Sequence, residues 1–178
     1  MKLKIKNARL SFADIFTAKS KFDGEPKFSA LFILDPSDEG NKAVLQEFKA
    51  IVKQLQNEKI GGKELDISRL PIQDGNDKGY DGWENKIILS AANKKRPIVV
   101  GRKRQPVAEG DQDAPYSGCF VNAIVDVWLM DNQYGQRIIC SLEAVQFAKD
   151  GEAFTSSVVN LEEDFDDIEE VSASVFDL

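Results

Sequence analysis

Histidine does not occur in this chain of 178 residues. Its absence removes the side chain whose ordinary pKa lies closest to neutrality, the commonest neutral metal ligand and every Ser-His or Cys-His nucleophile. Cysteine is scarce as well: Cys119 and Cys140 are the two present and no CxxC pair exists, which excludes zinc sites built on thiolates. Both lie in apolar, strand-like runs, the pattern of small buried hydrophobes in a reducing compartment, although a buried pair stays open if their strands are neighbours. Nowhere do 18 apolar residues run together, and the N-terminus alternates Lys2, Lys4 and Lys6 with Leu3 and Ile5 instead of opening on the apolar stretch of a signal peptide. A cytoplasmic protein with no membrane association, no cofactor and no metal is expected. Carboxylate-bound metal is the one enzymatic route left open.

Basic residues are also the minority, 23 Lys and Arg against 30 Asp and Glu, for a formal charge of -7. Taken whole, that balance argues against a nucleic-acid partner, because phosphate binding draws on Lys and Arg that displace counterions. The deficit is local, however. The last seventeen residues, 162–178, hold eight acids, Glu162, Glu163, Asp164, Asp166, Asp167, Glu169, Glu170 and Asp177, and no base. Without these eight, residues 1–161 keep 22 acids against all 23 bases, a net of +1. The chain therefore divides into a nearly neutral body, 1–161, and an acidic tail, 162–178, whose self-repulsion favours disorder. Such a tail either only solubilises or docks on partners. Phe165, Ile168, Val171, Val175 and Phe176 favour docking, since a purely solvating tail has no use for spaced hydrophobics.

With 42% hydrophobic residues, the body is large enough for one substantial core. Residues 2–13 alternate as a strand whose phase shifts by one near Asn7, as a bulge would make it. Residues 26–34 form a second strand. A helix follows Pro36, with Ser37 as its N-cap, a stripe of Val44, Leu45, Phe48, Ile51, Val52 and Leu55, and Gly61-Gly62 as its stop. Residues 71–83 are irregular and dense in turn formers. Strands are expected over 85–92, over 118–130 with Cys119, Val121, Ala123, Val125, Val127 and Leu129 on one face, and over 137–147, the last two forming a hairpin. A final short strand is expected over 154–160. Five to seven strands, one inserted helix and a bulged first strand predict a mainly β fold: an OB-type, partly open barrel with an acidic disordered tail.

Two basic triplets, Lys94-Lys95-Arg96 and Arg102-Lys103-Arg104, place six cations within eleven residues. They read either as a ridge that follows a phosphate backbone or as an edge strand protected by charge. Tyr80 and Trp83 in a glycine-rich loop, and Tyr116 in Pro115-Tyr-Ser-Gly, sit outside any alternation, so they read as platforms on which unpaired bases stack. Phe12, Phe16, Phe28, Phe32 and Phe48 read as core. Trp128 and Phe120 share a strand face with Asn122 and Asp126, a binding surface or a contact for a homodimer. The loop starting at Asp74 resembles a calcium loop but has Lys78 and Asn85 at ligand positions, so it is rejected. For a two-metal nuclease only Asp126, Asp131 and Glu143 come near the required placement.

The blocks Gly79-Tyr-Asp-Gly-Trp, Ile87-Ile-Leu-Ser-Ala, Lys95-Arg-Pro-Ile-Val-Val, Ala114-Pro-Tyr-Ser-Gly-Cys-Phe-Val-Asn-Ala and Val145-Gln-Phe-Ala-Lys-Asp-Gly-Glu-Ala-Phe occur in this order. Together they resemble a family of bacteriophage single-stranded DNA-binding proteins, long catalogued as a domain of unknown function and similar in design to the T7-type phage protein. The resemblance implies an OB-fold core, binding to single-stranded DNA with little sequence preference, a non-enzymatic role in phage replication or recombination inside the infected cell, and a tail that recruits replication enzymes. On charge and aromaticity, the expected phosphate contacts are Lys2, Lys4, Lys6, Lys94, Lys95, Arg96, Arg102, Lys103 and Arg104, and the expected stacking residues Tyr80, Trp83 and Tyr116. Partner docking falls to Asp164, Phe165, Asp166, Asp167, Glu169, Glu170, Phe176 and Asp177. The rival classes are a metal-dependent nuclease, an acidic DNA mimic and an adaptor.

Overall fold

Seven strands and one long helix account for the regular structure of this computed structural model, which describes residues 1–21, 24–154, 166 and 168. In chain order these are β1 (Lys2–Lys19), β2 (Lys27–Leu34), α1 (Glu39–Ile60), β3 (Ile72–Asp74), β4 (Ile87–Asn93), β5 (Ile98–Val100), β6 (Phe120–Asn132) and β7 (Gly135–Lys149). Antiparallel pairs link β1 to β2, β2 to β4, β1 to β6 and β6 to β7. One parallel pair, Ala92 with Ser141, joins β4 to β7 and closes the ring β1-β2-β4-β7-β6. Asn93 reinforces that closure by donating to the Leu142 carbonyl at 3.1 Å. The barrel is thus closed where a partly open one was expected. β3 and β5 are short additions, on β4 and β7 respectively.

The interior follows from period-two alternation. Leu3, Ile5, Phe28, Phe32, Leu34, Leu89, Val121, Val125, Val127 and Leu142 face inward and are buried. The phase shift at Asn7 is a bulge: the β1–β6 register jumps between Ile5 and Ala8, and Asn7 has φ 54°. Buried Asn41 ties α1 to that bulge, donating to the carbonyls of Lys6 at 2.9 Å and Asn7 at 3.2 Å. The apolar stripe of α1 joins the same core cluster as the inward strand residues, so the helix packs as a stopper on the barrel interior. Its N-cap is Asp38, one residue beyond the expected Ser37, because Asp35 already engages the Ser37 amide and hydroxyl. Gly61 ends it with φ 63°, a left-handed cap that glycine adopts at little cost.

Cys119 and Cys140 are buried and unpaired. Burial pushes their thiols up, to about 11 and about 12. Phe154 is described but lies outside any strand, and the rest of the strand expected at 154–160 is outside the described residues. The expected tail is likewise outside them, apart from Asp166 and Ile168. Among the described residues no helix is long and apolar enough to cross a membrane.

Candidate nucleic-acid interface

The outward residues of the barrel wall make the site. On β2 these are Lys27, Ser29 and Leu31, and on β4 Ser90 and Ala92, with Ser29 opposite Ala92 and Leu31 opposite Ser90. Their small side chains leave a floor that continues across the β4–β7 closure to Ser141 and Ile139 on β7 and to Trp128 and Met130 on β6. A groove of about 720 Å3 runs over this floor from Phe12 on β1 to Trp128. Lys21, Lys27, Arg69, Lys94 and Arg137 line it, and among the described residues no Asp or Glu does. Five lining cations, Lys94 among them paired with Glu25 outside the lining, make a local positive field in a chain whose net charge is negative. In OB barrels the face of the second and third barrel strands, with the loops joining strands one to two and four to five, is where oligonucleotides bind. Here the second and third barrel strands are β2 and β4.

An aromatic corner stands at the β1 side of the groove. Phe12 packs edge-on to Tyr80, with centroids 5.1 Å apart, and to Trp83 at 6.0 Å; Tyr80 and Trp83 are 4.8 Å apart. A second bulge, where the β1–β2 register jumps between Ser11 and Asp14, turns Phe12 outward with φ 45°, a left-handed backbone that is costly for an aromatic residue. Phe12 is 49% exposed and Tyr80 45%. An adjoining hollow of about 460 Å3 shares Phe12 and Lys21 with the groove and adds Lys19, Lys78 and Tyr80. On the opposite side, Trp128 keeps its ring at the groove by donating from Nε1 to Ser141 Oγ at 2.9 Å. A separate hollow of about 390 Å3 carries Glu109 and Asp111 but no cation, so it does not suit phosphate.

Several expected site residues stand elsewhere. Trp83, expected as a stacking platform, is 2% exposed and packs with Ile33 and Ile88, so it supports the corner from below. Tertiary packing folds the 75–86 loop over it: Gly75 donates to the Lys86 carbonyl at 2.8 Å, and a Cβ there would meet the Trp83 carbonyl at 2.1 Å. Tyr116 is half-buried. Its hydroxyl donates to Asp150 at 2.6 Å, which raises its pKa and makes it a strut between two loops.

The two basic triplets do not form one ridge. Lys94 lines the groove, whereas Arg96 donates to the Phe16 carbonyl at 2.8 Å and lies over the Phe28 ring at 5.2 Å. Arg102 pairs with Asp113 at 2.8 Å, and that carboxylate raises its pKa. Lys103 and Arg104 are exposed on the loop after β5, and Lys95 on the turn after β4, none of them among the groove's lining. Lys2, Lys4 and Lys6 are exposed on β1, where Lys2 and Lys4 stand beside Asp126 and Ile124 of β6, and they do not line the groove. Of the three acids weighed for metal chemistry, Asp126 accepts from the N-terminal ammonium at 2.7 Å, Asp131 accepts from Gln136 at 3.2 Å, and Glu143 is exposed on β7.

Sequence reading missed Phe12, which its alternation assigned to the core, and the dispersed cations Lys21, Lys27, Arg69 and Arg137. It did place Trp128 on a face proposed for binding. Arg69 carried no signal: it reaches the groove because the turn at Ile67–Arg69 lies against the β6–β7 hairpin, where Arg69 donates to the Tyr134 carbonyl at 3.2 Å.

Residues 1–175 match the family model described as Enterobacter phage Enc34, ssDNA-binding protein. The chain belongs to that family. A "Putative protein p50" from Acyrthosiphon pisum secondary endosymbiont phage 1 is 37% identical over 178 residues, covering 94% of each chain. The structure of the single-stranded DNA-binding protein from bacteriophage Enc34 in complex with ssDNA superposes with a TM-score of 0.73 at 28% identity, covering 86% of this chain and 89% of that one. A second structure of the single-stranded DNA-binding protein from bacteriophage Enc34 gives 0.75 at 27% identity, over 93% and 90%. Bacteriophage T7 gp2.5, a single-stranded DNA-binding protein, shares the fold, with a TM-score of 0.60 at 12% identity over 97% and 99%.

Proposed function

We propose that this protein binds single-stranded DNA with little sequence preference, coating it during phage replication or recombination in the infected cell, and does so without catalysing a reaction. One observation carries the reading: the groove across β2 and β4 has five lining cations, no lining acid among the described residues, and exposed aromatics on both sides. Cations hold the phosphates, while Phe12, Tyr80 and Trp128 stack bases, an interaction that is indifferent to which base it meets. Family membership supports the same function. The body, 1–161, does the binding. The tail, 162–178, recruits replication enzymes through its acids and spaced hydrophobics.

The test is affinity for oligonucleotides of differing sequence across salt concentration. Single strands give a log-log slope of about -0.7 per phosphate neutralised, so five groove cations set a limit of about -3.5. Arg69→Ala and Arg137→Ala should each shallow the slope by about 0.7, whereas Arg102→Ala, already paired with Asp113, should leave it unchanged. A flat dependence refutes phosphate-led binding. Incubating single-stranded DNA with magnesium or manganese separates the nuclease alternative, which predicts cleavage.

A further inference from the structure

The β1–β2 hairpin carries two acids among its described residues, and each holds a lysine beside the binding surface. Asp14 pairs with Lys19 at 3.0 Å inside the hollow next to Phe12, and Glu25 pairs with Lys94, one of the five cations of the groove. The second pair crosses from the β1–β2 loop to the turn that follows β4, so it spans two segments bordering the groove. Both partners of the second pair and Lys19 of the first are about two-thirds exposed, whereas Asp14 is 17% exposed, so in each pair the ammonium is open to a solvent-borne anion. Hydrogen bonding from Lys94, followed by its charge, holds the Glu25 carboxyl below its ordinary pKa, so the acid is ionised whenever the groove is exposed to neutral solution.

We propose that Glu25 and Asp14 are built-in phosphate surrogates: they occupy Lys94 and Lys19 in the free protein and must yield them when a DNA backbone enters. The inference rests on the groove being the DNA-binding site. Each pair is made through one carboxylate oxygen, the same charge-assisted N–H to anionic-oxygen contact that a phosphate oxygen offers, so a backbone phosphate can replace it in kind. The exchange has two consequences. Neither lysine adds its full counterion-release contribution, so affinity and salt dependence are both lower than the five groove cations and Lys19 would give if all were free. Each carboxylate also remains tethered beside its lysine in the complex, ready to retake it, which speeds release of the strand.

The experiment compares full-length protein with Glu25→Gln, Asp14→Asn and the double variant, using a fluorescent oligothymidylate and salt titration. Each single substitution should raise affinity at low salt and steepen the log-log slope by up to about 0.7, so that between 50 and 200 mM salt the gain over wild type shrinks by about 2.6-fold. Dissociation of a bound strand in the presence of competitor should slow. Lys94→Ala should cost more affinity in the Glu25→Gln background than in the wild type, and should abolish the gain there. Equal or lower affinity in Glu25→Gln with an unchanged slope overturns the proposal and makes the pair a loop pin. Failure of the wild type to bind any oligonucleotide refutes instead the assignment of the groove to DNA. Thermal unfolding of each variant identifies a folding defect, and the Lys94 comparison then decides from Glu25→Gln alone.

Discussion

Replacing Trp83 with alanine tests whether this residue is a support or a stacking platform. The indole is 2% exposed, packs on Ile33 and Ile88, and meets Phe12 and Tyr80 edge-on from below. Its Nε1 reaches Ser11 Oγ at 3.4 Å, a long contact that contributes little beside the apolar burial. Removing a buried tryptophan costs about 3–5 kcal/mol in lost transfer energy and cavity. With an m-value of about 2 kcal/mol/M, the urea midpoint should fall by about 2 M. Tyr80→Ala is the control, because Tyr80 is 45% exposed: it loses edge contacts of about 1 kcal/mol in stability but about 1–3 kcal/mol in DNA affinity. Urea denaturation followed by circular dichroism, alongside fluorescence anisotropy with an oligonucleotide, separates the two effects. A Trp83→Ala protein that keeps its urea midpoint and loses only DNA affinity would refute the buried placement and return Trp83 to the binding surface.

Phe12→Ala and Trp128→Ala should each weaken oligonucleotide binding by about 1–3 kcal/mol, measured by anisotropy. The two differ in stability, since Phe12→Ala also removes a bulky side chain from a left-handed backbone position while Trp128→Ala breaks the Ser141 contact. The thiols of Cys119 and Cys140 should resist alkylation at pH 8 in the native protein and react on unfolding, as mass spectrometry would show. Because burial raises both folded pKa values above the ordinary 9, their contribution to stability is complete below about pH 9 and is lost as pH rises toward 11 and 12. Denaturant midpoints across that range should therefore fall, and Cys140→Ala should flatten part of the decline.

Local signals sufficed for the barrel's parts. The alternation over 118–130 became β6, the stripe from Val44 to Leu55 became the buried face of α1, and the phase shift near Asn7 became a bulge held by Asn41. Each depends on the period of side chains along a single element, which the sequence prints directly. Closure was not legible, since the parallel pair Ala92–Ser141 joins residues 49 positions apart and one registered pair leaves no periodic trace.

The site divides in the same way. Tyr80 was recognisable because a loop aromatic with no alternation around it lacks an apparent core partner. The same reasoning misplaced Trp83, three residues on, because the core it joins, Ile33 and Ile88, comes from other strands. Clustering of charge along the chain drew attention to residues 94–104, yet Arg102 is paired with Asp113 and Arg96 lies over Phe28. The groove's cations come from four separate segments, the β1–β2 hairpin, the turn at Ile67–Arg69, the turn after β4 and β7, which only the folded chain assembles. The sequence by itself determined the division of charge between body and tail and the strand-helix composition, because both are sums or periods along the chain. Tertiary structure decided which cations and aromatics share a face, because that depends on register and closure between segments distant in sequence.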